Sequence, residues 1–257
     1  MICPLQRVKS ATQKFLVSLA GLEYAHCKGV AHCDVKLDNI LVGLDGHIRI
    51  CDWSSALVTS ADNTNASSRN FFCNYLRGTK MYAPPEVITQ NIVSEGMLIA
   101  KKPWDTTLGD VWSTGITIYT MAVGRPPFHY AHPRDPWFAS FLRETHQEDD
   151  MTELISECLQ LHERSESLEK EDSSTSCDNS VSNSKRRFSW PSDMNVSLVF
   201  LLSKMLHVKP EKRCTVSGAL QELKRMKFVL VNDTSETGKV GANLANLAHP
   251  IDQAVVS

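Results

Sequence analysis

From Leu108 to Val123 the chain is apolar on nearly every face, with Val111, Trp112, Ile116, Ile118, Tyr119 and Met121 spread around the helical turn instead of along one stripe. A helix of that kind has no solvent face, so other elements must surround it. Pro126-Pro127 stop it. Amphipathic spacing elsewhere supplies the cover. Val8, Phe15, Leu16, Leu19, Leu22 and Ala25 predict a helix over 7–28, closed by Gly29. Leu198, Leu201, Leu202, Met205 and Leu206, then Val216, Leu220, Leu223 and Met226, predict helices over 194–207 and 215–228. At 257 residues and 42% hydrophobic content the chain can bury such a core without staples.

The segments between these helices are polar and short-ranged. Ile40-Leu41-Val42 and Ile48-Arg49-Ile50-Cys51 flank Leu44-Asp45-Gly46, a hairpin signal. Residues 54–80 are rich in Ser, Thr and Asn and read as a long loop. Residues 144–172 are acidic and 173–184 Ser/Asn-rich, which marks an insert over about 144–189. Residues 231–257 form a patternless polar tail, expected to be disordered, so the domain is placed at 1–230. The fold class read from this pattern is mainly α within the α+β family, a helical bundle interrupted by short hairpins.

Composition excludes several functions. A net charge of −2 provides no field that recruits nucleic acid. No apolar run is long enough to span a bilayer, and Met1–Arg7 lacks a signal-peptide core. Eight scattered cysteines without a C-x-x-C pair argue against a zinc ribbon and for a reducing compartment, the cytoplasm or the nucleus. Neither nucleic acid nor membrane is expected as a partner, and the oligomeric state stays open.

The chemistry is concentrated in His32-Cys33-Asp34-Val35-Lys36-Leu37-Asp38-Asn39 and, after the hairpin, Asp52-Trp53-Ser54. A carboxylate base, a carboxylate and an amide for hard divalent ions, and a compact ammonium suit phosphoryl transfer with Mg²⁺. Taken singly, Asp34 or Asp52 would be a turn residue and His32 a core histidine.

In order along the chain, the set resembles the protein kinase family. Gly78-Thr79-Lys80-Met81-Tyr82-Ala83-Pro84-Pro85-Glu86 resembles the substrate-side loop and its Ala-Pro-Glu end. Asp110-Val111-Trp112-Ser113-Thr114-Gly115, with Gly124-Arg125-Pro126-Pro127-Phe128, resembles the buried central helix of the large lobe. Lys209-Pro210-Glu211-Lys212-Arg213-Cys214-Thr215 resembles the last Arg segment. The resemblance spans about 7–228 and implies the large lobe of a serine/threonine kinase, with ATP and Mg²⁺ as cofactors and protein hydroxyls as substrates.

It also implies roles. Asp34 would orient the substrate hydroxyl and accept its proton. Lys36 would offset charge on the transferred phosphate. Asn39 and Asp52 would hold Mg²⁺, and Leu41 would lie under the adenine. Thr79 would shape the acceptor pocket. Asp110 would brace the backbone around His32, and Glu86 and Arg213 would form a buried structural ion pair. Asp38 suggests a preference for basic substrates, although its usual helper position is Thr120, not an acid.

The chain departs from the family pattern at several points. No Gly-x-Gly-x-x-Gly, Val-Ala-Ile-Lys-like strand or helix Glu precedes the loop, and the 31 residues before His32 hold only one helix. The nucleotide-covering lobe is therefore expected to be missing and this chain alone to hold ATP weakly. The rival reading is a pseudokinase-like binding module that docks a partner through its acidic insert. Trp53-Ser54 stand for Phe-Gly, Leu37 for Pro and Pro84 for Ala. The stretch from Glu86 to Asp110 is long, so the segment around Met97–Trp104 is read as a surface excursion. Arg186-Arg187-Phe188-Ser189 resembles a target of basophilic kinases. Cys33 stands where the family carries an Arg that pairs with an activation-loop phosphate, and a thiol cannot do so. Phosphatase treatment is therefore expected to leave activity unchanged. A loss restored by an acidic residue at Thr59, Ser67 or Ser68 would overturn this.

Overall fold

The computed structural model describes residues 4–45, 47–59, 70–89, 91–94, 97–154 and 188–232. Gly46, Ser67, Ser68, Arg186, Arg187, most of the acidic insert and the tail beyond 232 lie outside the described residues.

Helix α1 (Pro4–Cys27) is followed by β1 (Val30–Ala31), the hairpin β2 (Ile40–Val42) and β3 (Ile48–Ile50), β4 (Leu57–Val58) and β5 (Phe72–Tyr75). Next come a short helix α2 (Pro85–Ile88), β6 (Asn91–Ser94), β7 (Met97–Asp105), α3 (Thr106–Val123) and α4 (Pro136–Glu144). A helical stretch α5 over 148–154 precedes α6 (Val196–Met205) and α7 (Val216–Asn232). The strands form three small antiparallel sheets, β1-β4, β2-β3 and β5-β7-β6. The fold is mainly helical, with short antiparallel strand pairs between the helices. No helix among the described residues is long and apolar enough to cross a membrane.

The all-round apolar helix lies at the centre. In α3, Val111, Trp112, Ile116, Ile118 and Tyr119 are buried. One face of α1 (Phe15, Leu19, Leu22), Phe138 and Phe141 of α4, Leu201, Leu202 and Met205 of α6, and Ala219, Leu220 and Leu223 of α7 close around it. A methyl group at Gly115 would lie 2.8 Å from Leu206 Cδ2, so glycine permits the close approach of α6. Asp105 caps α3, accepting from Thr107 N at 2.8 Å, and Gly124 ends it at φ 84°. The buried hydroxyls of Thr114, Thr117 and Thr120 donate to carbonyls four residues back, at 2.7, 2.8 and 2.7 Å. These three hydroxyls are therefore buried without being orphaned, whereas Trp112 Nε1 of the same helix is buried with no hydrogen-bond partner among the described residues. Thr120 is thereby committed to its own helix.

At the C-terminal end of the stretch read as an insert, the chain is part of the core. Phe188 is buried against Phe141, Tyr119 and Trp190, and its N–H donates to Ser140 Oγ at 2.7 Å. Ser189 between these aromatic anchors is exposed.

Where an excursion was expected, Met97–Asp105 is a strand that pairs with β5 in the register Phe72↔Asp105, Cys73↔Trp104 and Tyr75↔Ile99. Trp104 is buried with Cys73 and Val87, and its indole N–H donates to Tyr75 O at 3.2 Å. An indole of this size has enough apolar area to fold the added segment back onto the molecule.

Glu86 and Arg213 form a bidentate pair at 2.8 and 2.9 Å, both side chains almost fully enclosed. The remaining guanidinium donors reach Leu108 O and His207 O, each at 3.0 Å, and the plane lies 5.1 Å from the Trp112 ring centre. Every face of the cation is occupied, and α2, α3 and the turn before α7 are joined through it. Arg213→Ala is expected to cost about 3–5 kcal/mol by leaving Glu86 buried and alone, measured from urea midpoints. The paired replacement Glu86→Leu with Arg213→Met should cost clearly less. Equal costs would show that the carboxylate is not the source of the loss.

Candidate active site

The loop after β1 is shaped from inside the bundle. Asp110, fully buried near the start of α3, accepts from Cys33 N at 2.7 Å through Oδ1. Its Oδ2 accepts from His32 N at 2.8 Å and meets His26 Nε2 at 2.8 Å. This grip holds Cys33 at φ 64°, a left-handed conformation that costs a residue with a Cβ about 1–2 kcal/mol. The Cys33 thiol is itself buried. Burial first, and then the Asp110 carboxylate, push it up to about 12, so it stays neutral and unreactive.

His32 joins two loops. Asp34 N–H donates to His32 Nδ1 at 3.2 Å, which leaves the proton on Nε2, 3.0 Å from Cys51 O. Both ring nitrogens are satisfied in that neutral tautomer. The Trp53 ring lies 4.5 Å from the imidazole at a tilt, and its N–H donates to Ile50 O at 3.3 Å. His32 thus sets where the segment carrying Asp52 lies relative to Asp34.

Around Asp34 the side chains converge. Lys36 Nζ is 2.7 Å from Asp34 Oδ2 and 2.9 Å from Thr79 Oγ1. Thr79 N–H donates to Asp34 Oδ1 at 2.8 Å. The hydrogen bond that Lys36 donates to Asp34 holds its ammonium above its ordinary pKa, so it stays charged. Gly78, at φ 72°, makes the approach possible, because a Cβ there would lie 2.3 Å from Cys33 O. Asn39 is buried, with its amide nitrogen donating to Asp34 O at 2.9 Å. Its amide oxygen makes no hydrogen bond among the described residues. Asp52 is exposed, at φ 61°. Its Oδ1 accepts from Ser54 Oγ at 2.6 Å and from Ser54 N at 3.4 Å, and these bonds hold the carboxyl below its usual range.

Asp34, Lys36, Asn39, Asp52 and Thr79 are therefore gathered at one face, with His32 and Asp110 beneath. Glu86 and Arg213 lie in the core away from it. Leu41, on β2, is half exposed.

The profile described as "Protein kinase domain" matches residues 6–228. The chain belongs to the protein kinase family. Its relatives include serine/threonine-protein kinase ppk8 of Schizosaccharomyces pombe, 31% identical over 60% of this chain and 27% of the relative. Aurora kinase of Dictyostelium discoideum is 42% identical over 42% of this chain and 23% of the relative. Serine/threonine-protein kinase par-4 of Caenorhabditis elegans is 33% identical over 44% and 16%. The chain spans about a quarter or less of the length of these relatives.

Three features of this candidate site are not visible in the sequence. His26 reaches Asp110 from the last turn of α1, Ser54 tethers Asp52, and Arg77 spans two loops. Ser54 stands where the family has glycine, and its hydroxyl adds a bond that glycine cannot make. Ser54→Ala should therefore raise the Asp52 carboxyl pKa toward the ordinary value. A carboxyl-carbon NMR titration would show this, and an unchanged titration would sink the tether.

Proposed function

We propose that this chain carries the catalytic lobe chemistry of a serine/threonine protein kinase, transferring the γ-phosphate of ATP to a protein hydroxyl. The observation that carries the reading is the convergence of Lys36 and the Thr79 N–H on the two oxygens of Asp34. That arrangement fixes the direction of a carboxylate base and places a cation beside it. The acceptor hydroxyl oxygen attacks the γ-phosphorus, its proton passes to Asp34, and the bond to the β-phosphate oxygen breaks with ADP leaving. Lys36 offsets charge on the phosphoryl group, and Thr79 ties the acceptor loop to the base.

The donor set suits Mg²⁺. Asn39 has spent its amide nitrogen on Asp34 O and offers an oxygen, and Asp52 is an exposed, readily ionised carboxylate with Oδ2 unbonded among the described residues. Hard divalent ions take such oxygen donors, and Mg²⁺ needs few from protein. Asn39 and Asp52 would hold the ion, which supplies charge neutralisation on the phosphates. Leu41, half exposed on β2, offers an apolar platform for a base. Exposed Asp38 beside Lys36 supports a preference for basic peptides, and the committed hydroxyl of Thr120 gives it no help.

The test is phosphotransfer from ATP to a library of Ser/Thr peptides by the full-length natural protein. Asp34→Asn should lower kcat by about 10²–10⁴-fold, the usual contribution of a positioned base. Asp52→Asn should abolish Mg²⁺-dependent turnover and weaken Mg²⁺ binding measured by calorimetry. Undiminished transfer in either variant would refute the assigned role.

A further inference from the structure

Arg77 is the residue of this site that the mechanism leaves without a task. It immediately precedes Gly78-Thr79, yet its side chain turns back across the molecule. Nη1 donates to Ser55 O at 3.0 Å and to Ala56 O at 3.1 Å. Nη2 donates to the Tyr75 hydroxyl, and the guanidinium lies 4.8 Å from the Tyr75 ring centre. Nε is buried. The bridge thus links two pieces of chain, the 55–56 turn and the stretch 75–79. Tyr75 belongs to β5, which is itself fixed by pairing with β7. Ser55 and Ala56 close the turn that begins at Asp52. Thr79, two residues after Arg77, is bonded to Asp34 and Lys36.

The same arginine lines a cavity of about 10 Å³ with Cys33, Asp34, Thr79 and Trp104, and it is the one cation among the described residues there. A cavity this small holds about one water at most, so the groups around it are in near contact. A guanidinium can engage several carbonyl acceptors at once and carries its charge into each hydrogen bond.

We propose that Arg77 is a positioning residue, a built-in cation that clamps the Asp52–Ala56 turn to the acceptor loop and so sets the distance between Asp52 and Asp34. The proposal rests on the phosphotransfer reading above. It gives the acceptor loop an internal tie of permanent charge, so the loop needs no added phosphate to be held. Lysine at this position keeps the charge but cannot reach both carbonyls and Tyr75.

The test compares full-length wild type, Arg77→Ala and Arg77→Lys by hydrogen exchange and by kinetics. In Arg77→Ala, exchange in the peptide covering 52–58 should rise about tenfold, while α3 exchanges as in wild type. kcat should fall at least about tenfold, with KM for ATP within about twofold, since what is lost is alignment. Arg77→Lys should recover part of both. Should Arg77→Ala not fold, Arg77→Gln is measured in the same way. Unchanged exchange in 52–58 overturns the clamp whatever the activity. Raised exchange with kcat unchanged overturns the positioning role. Raised exchange in a protein whose wild type transfers no phosphate leaves the clamp standing and removes the phosphotransfer reading instead.

Discussion

Everything at the active face depends on one buried carboxylate. Asp110 is fully enclosed, and an enclosed carboxylate is tolerable only if its oxygens are bonded. Its partners are the backbone N–H groups of His32 and Cys33 and the ring of His26. The demand runs both ways. The bundle needs donors for Asp110, and the loop needs an anchor to hold Cys33 in a left-handed conformation. Each strained residue of this kind costs on the order of 1–3 kcal/mol and persists only where its surroundings over-determine it. Asp52 is in the same backbone region, held by its bonds to Ser54 and by the link from His32 to Cys51. These two left-handed residues lie in the two loops that carry Asp34, Lys36, Asn39 and Asp52.

The order of dependence follows the order of burial. The α3 core fixes Asp110, Asp110 fixes His32 and Cys33, and His32 fixes Cys51 and hence Asp52. Asp34 follows from the loop and is then tied to Lys36 and Thr79. The Glu86–Arg213 pair acts at a distance. It joins α2, which follows the acceptor loop, to the turn before α7 and to α3. It bears on the candidate site by keeping the far end of the Gly78–Glu86 segment in place, without touching Asp34 or Lys36.

The departures at Cys33, Ser54 and the 91–105 hairpin make one physical picture. A neutral buried thiol at position 33 gives the loop no charge with which to capture a phosphate. The structure supplies other ties in the same region: β5 pairs with β7, Trp104 packs on Cys73, and Arg77 spans to Ser55 and Ala56. These ties are permanent, since strand pairing, indole burial and a guanidinium do not depend on modification.

Much of the fold was legible in the sequence because its signals are local. All-round apolarity marked α3, periodicity marked α1, α6 and α7, and an Asp-Gly between apolar runs marked the β2-β3 hairpin. The identities of Asp34, Lys36, Asn39 and Asp52 could be read as a set, since their spacing along the chain carries the pattern. The tertiary structure alone decided what joins distant segments. Nothing local tells Trp104 to fold onto Cys73, His26 to reach Asp110, or Arg77 to turn back toward Ser55. These contacts depend on which surfaces the bundle brings together. Sequence determined which groups are available for chemistry, and only packing around Asp110 decided their distances and directions, because a carboxylate in the core must find its donors wherever the fold presents them.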